Sequence, residues 1–94
     1  MNYVTVSHWS VKEMSDELNK IAQDKFVPLV KSAGAKSVDM VQTGDNSMMV
    51  VTYYSSEEEG LAAQKKIAEI RSQASEELPM KMESAHAGNV IING

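Results

Sequence analysis

Two Ser-x-x-Glu sequences, Ser10–Glu13 and Ser56–Glu59, constrain the fold of this chain more than any other feature. Each one follows an apolar, strand-like run and precedes a segment with helical periodicity. In such a capping box the serine hydroxyl accepts a backbone N–H at the helix start, and the glutamate side chain reaches back to the N–H of the serine. The two boxes begin about half a chain length apart. We therefore predict one strand–helix–strand unit that occurs twice.

Composition limits the classes of protein that such a chain can belong to. With 94 residues, 43% hydrophobic and 23% charged, we expect one globular domain over residues 1–94. The chain has no cysteine, which excludes a disulfide scaffold, a thiolate metal site and a cysteine nucleophile. The net charge of −4 argues against a nucleic-acid partner, because nucleic-acid binding requires a clustered cationic surface.

Membrane association and export are not expected either. No apolar run approaches the roughly 20 residues that a membrane-spanning helix needs. The first residues enter a strand pattern without a basic segment before an apolar one, which is not typical of a signal peptide. These observations predict a cytoplasmic location with no membrane partner.

The periodicity of apolar residues predicts the element order βαββαβ. Strands are predicted at 3–9, 37–43, 47–54 and from 80 onward, with helices at 11–33 and 57–78. Pro28 lacks an N–H, and its ring collides with the carbonyl of Asp24 in a regular helix. Apolar residues continue the helical stripe beyond Pro28, so we predict that the first helix bends there and continues. Gly34 is predicted to end this helix in a left-handed conformation.

With right-handed crossovers, this order gives an α+β, ferredoxin-like fold. Its four-stranded antiparallel sheet has the order 4-1-3-2, and both helices cover one face. The third strand, 47–54, is apolar at odd and at even positions, which indicates that both of its faces are covered. A second copy of the chain is the simplest cover for the face without helices. We therefore predict a homodimer that associates through the sheet face.

The sequences of residues 26–35 and 51–56 and the hairpin turn at 44–46 resemble those of the dimeric α+β barrel superfamily. This superfamily includes antibiotic-biosynthesis monooxygenase-like domains and heme-degrading monooxygenases. The resemblance implies a ferredoxin-like protomer, back-to-back pairing of sheets in a homodimer, and a pocket between sheet and helices. Heme-degrading relatives carry a tryptophan at the position of Tyr54 and a histidine on the second helix. Residues 57–78 contain no histidine, so heme degradation is not expected and no cofactor is predicted.

His8 and Tyr54 are the candidate catalytic residues. The two capping boxes align these residues, and His8 is suited to acid–base chemistry near neutral pH. We predict that both open onto the pocket, which would lie on the strand face that also carries Val4 and Val50. Trp9, Val6 and Thr52 would line a ligand site together with Tyr54. The alternative is a solvated histidine at a strand end and a tryptophan that serves only for packing.

A metal site is not predicted. We expect the first and last strands to pair so that His8 lies opposite Met82 and His86 lies opposite Val4. Four strand residues would then separate the two histidines by more than roughly 10 Å, which is too far for one metal ion. The acidic run at 57–59 needs no ligand, because carboxylates at a helix start oppose its positive dipole end.

Two classes of function remain open from the sequence. The first is a homodimeric module that binds a small apolar or aromatic ligand, or that serves only for assembly. The second is a metal-free, monooxygenase-like enzyme that acts on an aromatic substrate. Five methionines on the predicted strands suit a pocket or a sheet interface, because thioether side chains adapt to irregular partners. Plain filling of the core explains them as well.

Overall fold

The computed structural model describes residues 2–94. Its elements are β1 (Tyr3–Val11), α1 (Asp16–Ile21), a π-helical segment (Ala22–Phe26), α2 (Val27–Ser32), β2 (Ser37–Gly44), β3 (Ser47–Tyr54), α3 (Glu57–Glu77) and β4 (Met80–Asn89). The strands form one antiparallel sheet in the order β2-β3-β1-β4. This confirms the predicted α+β, ferredoxin-like fold and its strand order. Within these residues no helix is long and apolar enough to cross a membrane.

The first strand is longer than predicted, and Ser10 does not cap a helix. β1 continues through Val11, whose N–H donates to the carbonyl of Asn46 over 2.8 Å. The Asn46 side chain donates back to the Val11 carbonyl over 3.0 Å, so the hairpin turn holds the strand end. The Ser10 hydroxyl instead donates to Glu83 over 2.8 Å. The capping-box prediction at Ser10 is therefore wrong, because tertiary pairing extends the strand through it.

The helix caps are Ser15 and Ser56. The Ser15 hydroxyl accepts the N–H of Leu18 over 3.1 Å, and the Ser56 hydroxyl accepts the N–H of Glu59 over 3.2 Å. The second predicted cap is thus confirmed. The first lies five residues later than predicted, so the equal spacing between the two halves does not hold.

The helix after Ser15 continues past Pro28, as predicted. The five residues Ala22–Phe26 form a π-helical segment, and α2 follows without a break. A π-helical segment changes the backbone hydrogen-bond spacing from i→i+4 to i→i+5. Since Pro28 cannot donate to the carbonyl of Asp24, this change of spacing lets the helix continue. Gly34, with φ of +120°, ends α2 in the region that favours glycine.

The face of β1 is the reverse of the predicted one, whereas Val50 and Thr52 of β3 face the helices as predicted. β1 and β3 run antiparallel, with Thr5 opposite Thr52 and Val6 opposite Val51. Residues that lie directly opposite each other share a face, so Thr5 and Thr52 face the helices while Val6 and Val51 face away. Alternate residues of β1 from Tyr3 to Val11 are accordingly buried. The inner sheet face, which packs under the helices, thus carries two hydroxyl residues of β1 instead of the valines.

The opposite surface, named here the outer sheet face, carries an apolar patch. It consists of the apolar residues that point away from the helices: Val4, Val6, Val41, Met49, Val51 and Tyr53. Val41 is 41% exposed, and the other five are partly exposed. The face predicted to need a cover is therefore present, although Val4 and Val6 belong to it and not to the pocket.

The pairing of β1 with β4 also differs from the prediction. His8 lies opposite Ser84 and His86 lies opposite Val6, with an irregularity in register between His8 and Trp9. The two histidines are therefore diagonal neighbours beside the outer sheet face, at roughly 7–8 Å between Cα atoms. The distance between the two histidines that was predicted from sequence was too large, because the predicted register between β1 and β4 differs from the observed one by two residues. The final strand runs through Gly88 to Asn89.

Candidate ligand-binding cavity

A cavity of about 420 Å³ lies between the inner sheet face and the helices. Its floor is formed by the three strands β1, β2 and β3. The helical residues around it come from α1, the π-helical segment, α2 and α3. The apolar lining residues include Trp9, Met14, Leu18, Phe26, Val30, Met40, Met48, Val50, Ile67, Ile70, Ala74, Leu78 and Met80. Most of the core that the fold assembles thus surrounds an open space.

Trp9 is fixed at the floor of this cavity. Its side chain is only 4% exposed, and its indole N–H donates to the hydroxyl of Ser7 over 2.8 Å. Because the Ser7 oxygen accepts this bond, its own O–H is free to donate to another group. Both residues border the cavity. The arrangement therefore presents a flat aromatic surface beside a hydroxyl donor.

The π-helical segment supplies part of the cavity wall. Ala22, Gln23 and Phe26 all belong to this segment and border the cavity. Phe26 is 3% exposed, while Gln23 is exposed at the rim. π-helical turns occur frequently at functional sites, because they shift side chains relative to a regular helix. Here the change of helical spacing that Pro28 imposes coincides with the wall of the cavity.

Arg71 introduces a positive charge into this mainly apolar wall. It lies on α3, is half-buried, and borders the cavity beside Ile67 and Ile70. Burial lowers the pKa of its guanidinium below the ordinary value, because desolvation disfavours the charged form. Asp39 is the one acidic residue along the described cavity lining, but it is exposed and lies opposite Val51 on the outer sheet face. Arg71 and Asp39 form no ion pair in residues 2–94.

The structure brings only some of the predicted site residues to the cavity. Trp9 and Thr52 border it, whereas His8, Val6 and Tyr54 do not. His8 is exposed and Val6 lies on the outer sheet face. Because β1 and β3 are antiparallel, Tyr54 lies opposite Tyr3, five residues along the strand from His8. The prediction that His8 and Tyr54 share a pocket is therefore wrong.

Tyr54 is instead a fully buried core residue, with 0% of its surface exposed. Its ring centroid lies 6.4 Å from that of Tyr3 at an interplanar angle of 54°. The phenol oxygen has no hydrogen-bond partner at normal distance and angle, although the polar side chains of Gln64 and Thr5 lie near it. The Gln64 amide donates to the carbonyl of Gly60 over 2.7 Å. Burial raises the pKa of the Tyr54 phenol, while Gln64 and Arg71 partly oppose this effect.

Sequence reasoning missed Arg71, Ser7 and Phe26 as cavity residues. The pattern did contain an indication for Arg71, which lies four residues after Ile67 and three before Ala74, on the buried stripe of α3. A charged residue on an apolar helical stripe indicates a candidate functional residue, because charged side chains are seldom buried unless they are paired. The position of Ser7 could not be found in this way, since the two valines of the same strand indicated the opposite face.

Metal-ligand clusters are not found at the cavity. Across residues 2–94 no group of three or more histidine, cysteine, aspartate or glutamate side chains is placed to hold a metal ion. The cavity lining includes polar side chains of Ser7, Asn19, Gln23, Asp39, Gln42, Thr52 and Arg71. The chemistry that this lining offers is therefore hydrogen bonding and one buried positive charge.

Solved structures share this architecture closely. MupZ from Pseudomonas fluorescens superposes with a TM-score of 0.70 at 16% sequence identity, covering 92% of this chain and 69% of that one. A dimeric ferredoxin-like protein from an uncultured marine organism gives 0.69 at 14% identity, covering 100% and 98%. SnoaB from Streptomyces nogalater, described as a cofactor-independent oxygenase, gives 0.67 at 9% identity, covering 98% and 95%.

The chain shares the ferredoxin-like fold of these solved structures. This confirms the resemblance found in the sequence at the level of fold. No family model matches the chain, and no curated protein matches it in sequence. One fold can carry many different functions, so the activity of this protein has to be inferred from its own cavity.

Proposed function

We propose that this protein is a homodimeric module that binds a small, largely apolar or aromatic molecule in the cavity between sheet and helices. The observation that carries this proposal is the cavity itself. Its volume of about 420 Å³ lies within the range of roughly 300–1,000 Å³ that is typical of small-molecule sites. A ligand that fills this space would stabilise the protein, because an unfilled cavity in the core lacks packing contacts.

The lining indicates the shape and polarity of the ligand. Trp9 and Phe26 are rigid aromatic surfaces, and Met40 and Met48 can adapt to an irregular outline. A few polar groups lie among them, as is usual for sites that orient an apolar ligand. These features favour a compact aromatic or alicyclic molecule over a sugar or a nucleotide.

The homodimer is proposed to form through the outer sheet face. This face carries six apolar side chains, all at least partly exposed. Structural neighbours are described as dimeric ferredoxin-like proteins. A second copy provides a matching apolar surface of the same shape, which a twofold axis requires. The cavity lies on the other side of the sheet, so pairing in this way leaves it free.

Binding can be measured through Trp9, which is the one tryptophan of the chain. We expect 4-iodobenzyl alcohol, a neutral aromatic molecule with a heavy-atom quencher, to quench Trp9 fluorescence with saturation. Quenching by iodine requires near contact, so it reports occupancy next to the indole. Ala22 borders the cavity, and Ala22→Phe should fill part of it and weaken the saturable quenching by about tenfold or more, as expected for an occluded pocket.

The matched control is His8→Ala, which alters the neighbouring residue on the opposite face of β1. It should leave the quenching curve unchanged within about twofold. Quenching that rises linearly without saturation in the wild type would contradict the proposal. So would equal saturation in wild type and Ala22→Phe, because the probe would then bind elsewhere.

Oxygenation without a metal is the second candidate function. It is favoured by the structural likeness to SnoaB, which is described as a cofactor-independent oxygenase, together with the aromatic lining of the cavity. The oxygenation proposed here converts a ring CH₂ group into C=O: two C–H bonds break, one oxygen atom of O₂ enters the product and the other leaves as water. The substrate thus supplies all four electrons. His8 cannot act as the base in the cavity, because it lies outside it.

Oxygen uptake distinguishes this candidate from simple binding. An electron-rich aromatic ketone with an acidic ring methylene, such as anthrone, should consume one O₂ per molecule faster with the protein than without it. Ala22→Phe should abolish the acceleration, and His8→Ala should retain it. Equal rates with and without wild-type protein, alongside saturable Trp9 quenching, would leave the binding module and reject the enzyme.

A further inference from the structure

Arg71 is the cationic group in the lining of the cavity. The residues on either side of it along the buried stripe of α3 are apolar, and Arg71 itself is half-buried. Part of this side chain is therefore removed from water and lies among the apolar residues of the cavity wall. A charge in such a position weakens stability unless it is paired or hydrogen-bonded.

No ion pair compensates this charge within residues 2–94. The described ion pairs join Lys20 to Asp24 and Lys25 to Glu77, and none includes Arg71. Positions three and four residues away on α3 are Ile67, Ala68, Ala74 and Ser75, so its own helix offers no carboxylate at the spacing that forms ion pairs. Asp39 borders the cavity too, but it is exposed, and it lies opposite Val51 on the outer sheet face.

We propose that the ligand of this cavity is an aromatic carboxylate, whose anionic group is bound by Arg71 while its ring lies among Trp9 and Phe26. This inference rests on the proposed function, since it names the chemical class of the molecule that the cavity binds. The planar guanidinium presents two parallel N–H donors that match the two oxygens of a carboxylate. The unpaired charge is thus a recognition group for the ligand, and the apolar lining supplies the remainder of the binding energy.

The hydroxyl groups of the cavity are consistent with this chemistry. Ser7 accepts from the Trp9 indole, which leaves its O–H able to donate. Thr52 is 5% exposed and borders the same cavity. Donors outnumber carboxylates on this lining, so it favours a ligand that brings acceptor oxygens. Burial of Arg71 also lowers the pKa of its guanidinium, and a bound anion would reverse that effect by stabilising the charged form.

Two probes that differ in one group test the inference. 4-Iodobenzoate and 4-iodobenzyl alcohol have the same ring and quencher, but only the first carries a carboxylate near pH 7.5. Hydrogen bonds to charged groups correspond to a preference of about tenfold to hundredfold. We therefore expect wild-type protein to bind the acid more tightly than the alcohol by that factor, measured by saturable quenching of Trp9. This comparison needs no variant.

Variants then assign the preference to one side chain. Arg71→Met keeps most of the apolar stem and removes the charge, and it should bind both probes with equal affinity, so that the preference for the acid is lost. Lys66→Met removes the same charge from an exposed position of the same helix and should retain the wild-type preference. Circular dichroism verifies that each variant is folded.

The outcomes separate the two proposals. Equal affinity of the wild type for acid and alcohol, or a preference that survives in Arg71→Met, would overturn the role of Arg71 and leave the cavity as a neutral aromatic site. An equal loss of preference in Lys66→Met would show that net charge decides, which also overturns it. Saturable binding of neither probe would overturn the proposed function and this inference with it.

Discussion

Replacing Tyr54 with alanine should lower the free energy of unfolding by about 3–5 kcal/mol, as is typical for truncation of a buried aromatic ring. Tyr54 has no exposed surface and packs against the ring of Tyr3. A domain of this kind has a total stability of about 5–15 kcal/mol. The substitution therefore removes a large fraction of it. Urea unfolding followed by circular dichroism, at one fixed protein concentration, measures the difference.

The matched variant Tyr54→Phe should not lower the free energy of unfolding. It keeps the ring and removes only the phenol oxygen, which is buried without a hydrogen-bond partner. Since an unpartnered buried polar group costs free energy, we expect Tyr54→Phe to match or exceed wild-type stability. A loss of more than about 2 kcal/mol in Tyr54→Phe would contradict this account, because it would mean that the hydroxyl has a partner in solution.

The free energies of unfolding of the wild type and of Tyr54→Phe should diverge in alkaline solution. Burial raises the pKa of the Tyr54 phenol in the folded state, while in the unfolded chain it ionises near pH 10. The unfolded state therefore releases this proton first, so the stability contribution is present below about pH 10 and is lost as pH rises beyond it. Tyr54→Phe lacks this group and should lose less stability over that range.

The fold was largely predictable from the sequence because its determinants are local. The Ser56 cap, the two-sided apolar pattern of β3 and the Gly44–Asn46 turn each specify one element, and crossover handedness leaves few ways to arrange them. The continuation of the first helix past Pro28 was also predictable, because the residues after the proline continue the apolar stripe. In contrast, the start of α1 depends on contacts between the end of β1 and the hairpin, which no local pattern near Ser10 contains.

The face of β1 that packs under the helices was not predictable, for a physical reason. Hydrophobic alternation identifies the inner face only when the outer face is polar. In β1 the valines Val4 and Val6 lie outside, whereas Thr5 and Ser7 lie inside beneath the helices. An apolar outer face, which we propose binds a second copy, reverses the usual pattern. The same reversal moved His8 and Val6 out of the predicted site and concealed Ser7.

Part of the candidate site could still be derived from the sequence. Trp9 was named as a wall of the ligand site, and it borders the cavity, although the pocket was expected on the other face of β1. Arg71 could have been found from its position on the buried stripe of α3. Phe26 could not be placed, because Pro28 predicted a bend and not the π-helical segment to which Phe26 belongs.

Replacing Val6 with lysine should convert the protein from a dimer to a monomer. Val6 lies at the centre of the outer sheet face, between Val51 on β3 and His86 on β4. In a dimer that buries this face, each new charge would be buried without a partner, at a cost of about 3–5 kcal/mol. We therefore expect the dissociation constant to rise by at least about 100-fold. Equilibrium sedimentation at micromolar concentration should give twice 10.3 kDa for the wild type and 10.3 kDa for Val6→Lys.

Leu61→Lys is the matched control for this experiment. Leu61 is an exposed leucine, 56% accessible, on α3 and away from the outer sheet face. The same charge placed there should leave the dimer intact, because the side chain remains in water. In a monomer the Val6→Lys side chain is solvated too, so its circular dichroism spectrum should match that of the wild type. A monomeric wild type, or a dimeric Val6→Lys, would show that this apolar face is not the interface, and the exposed valines would then need another partner.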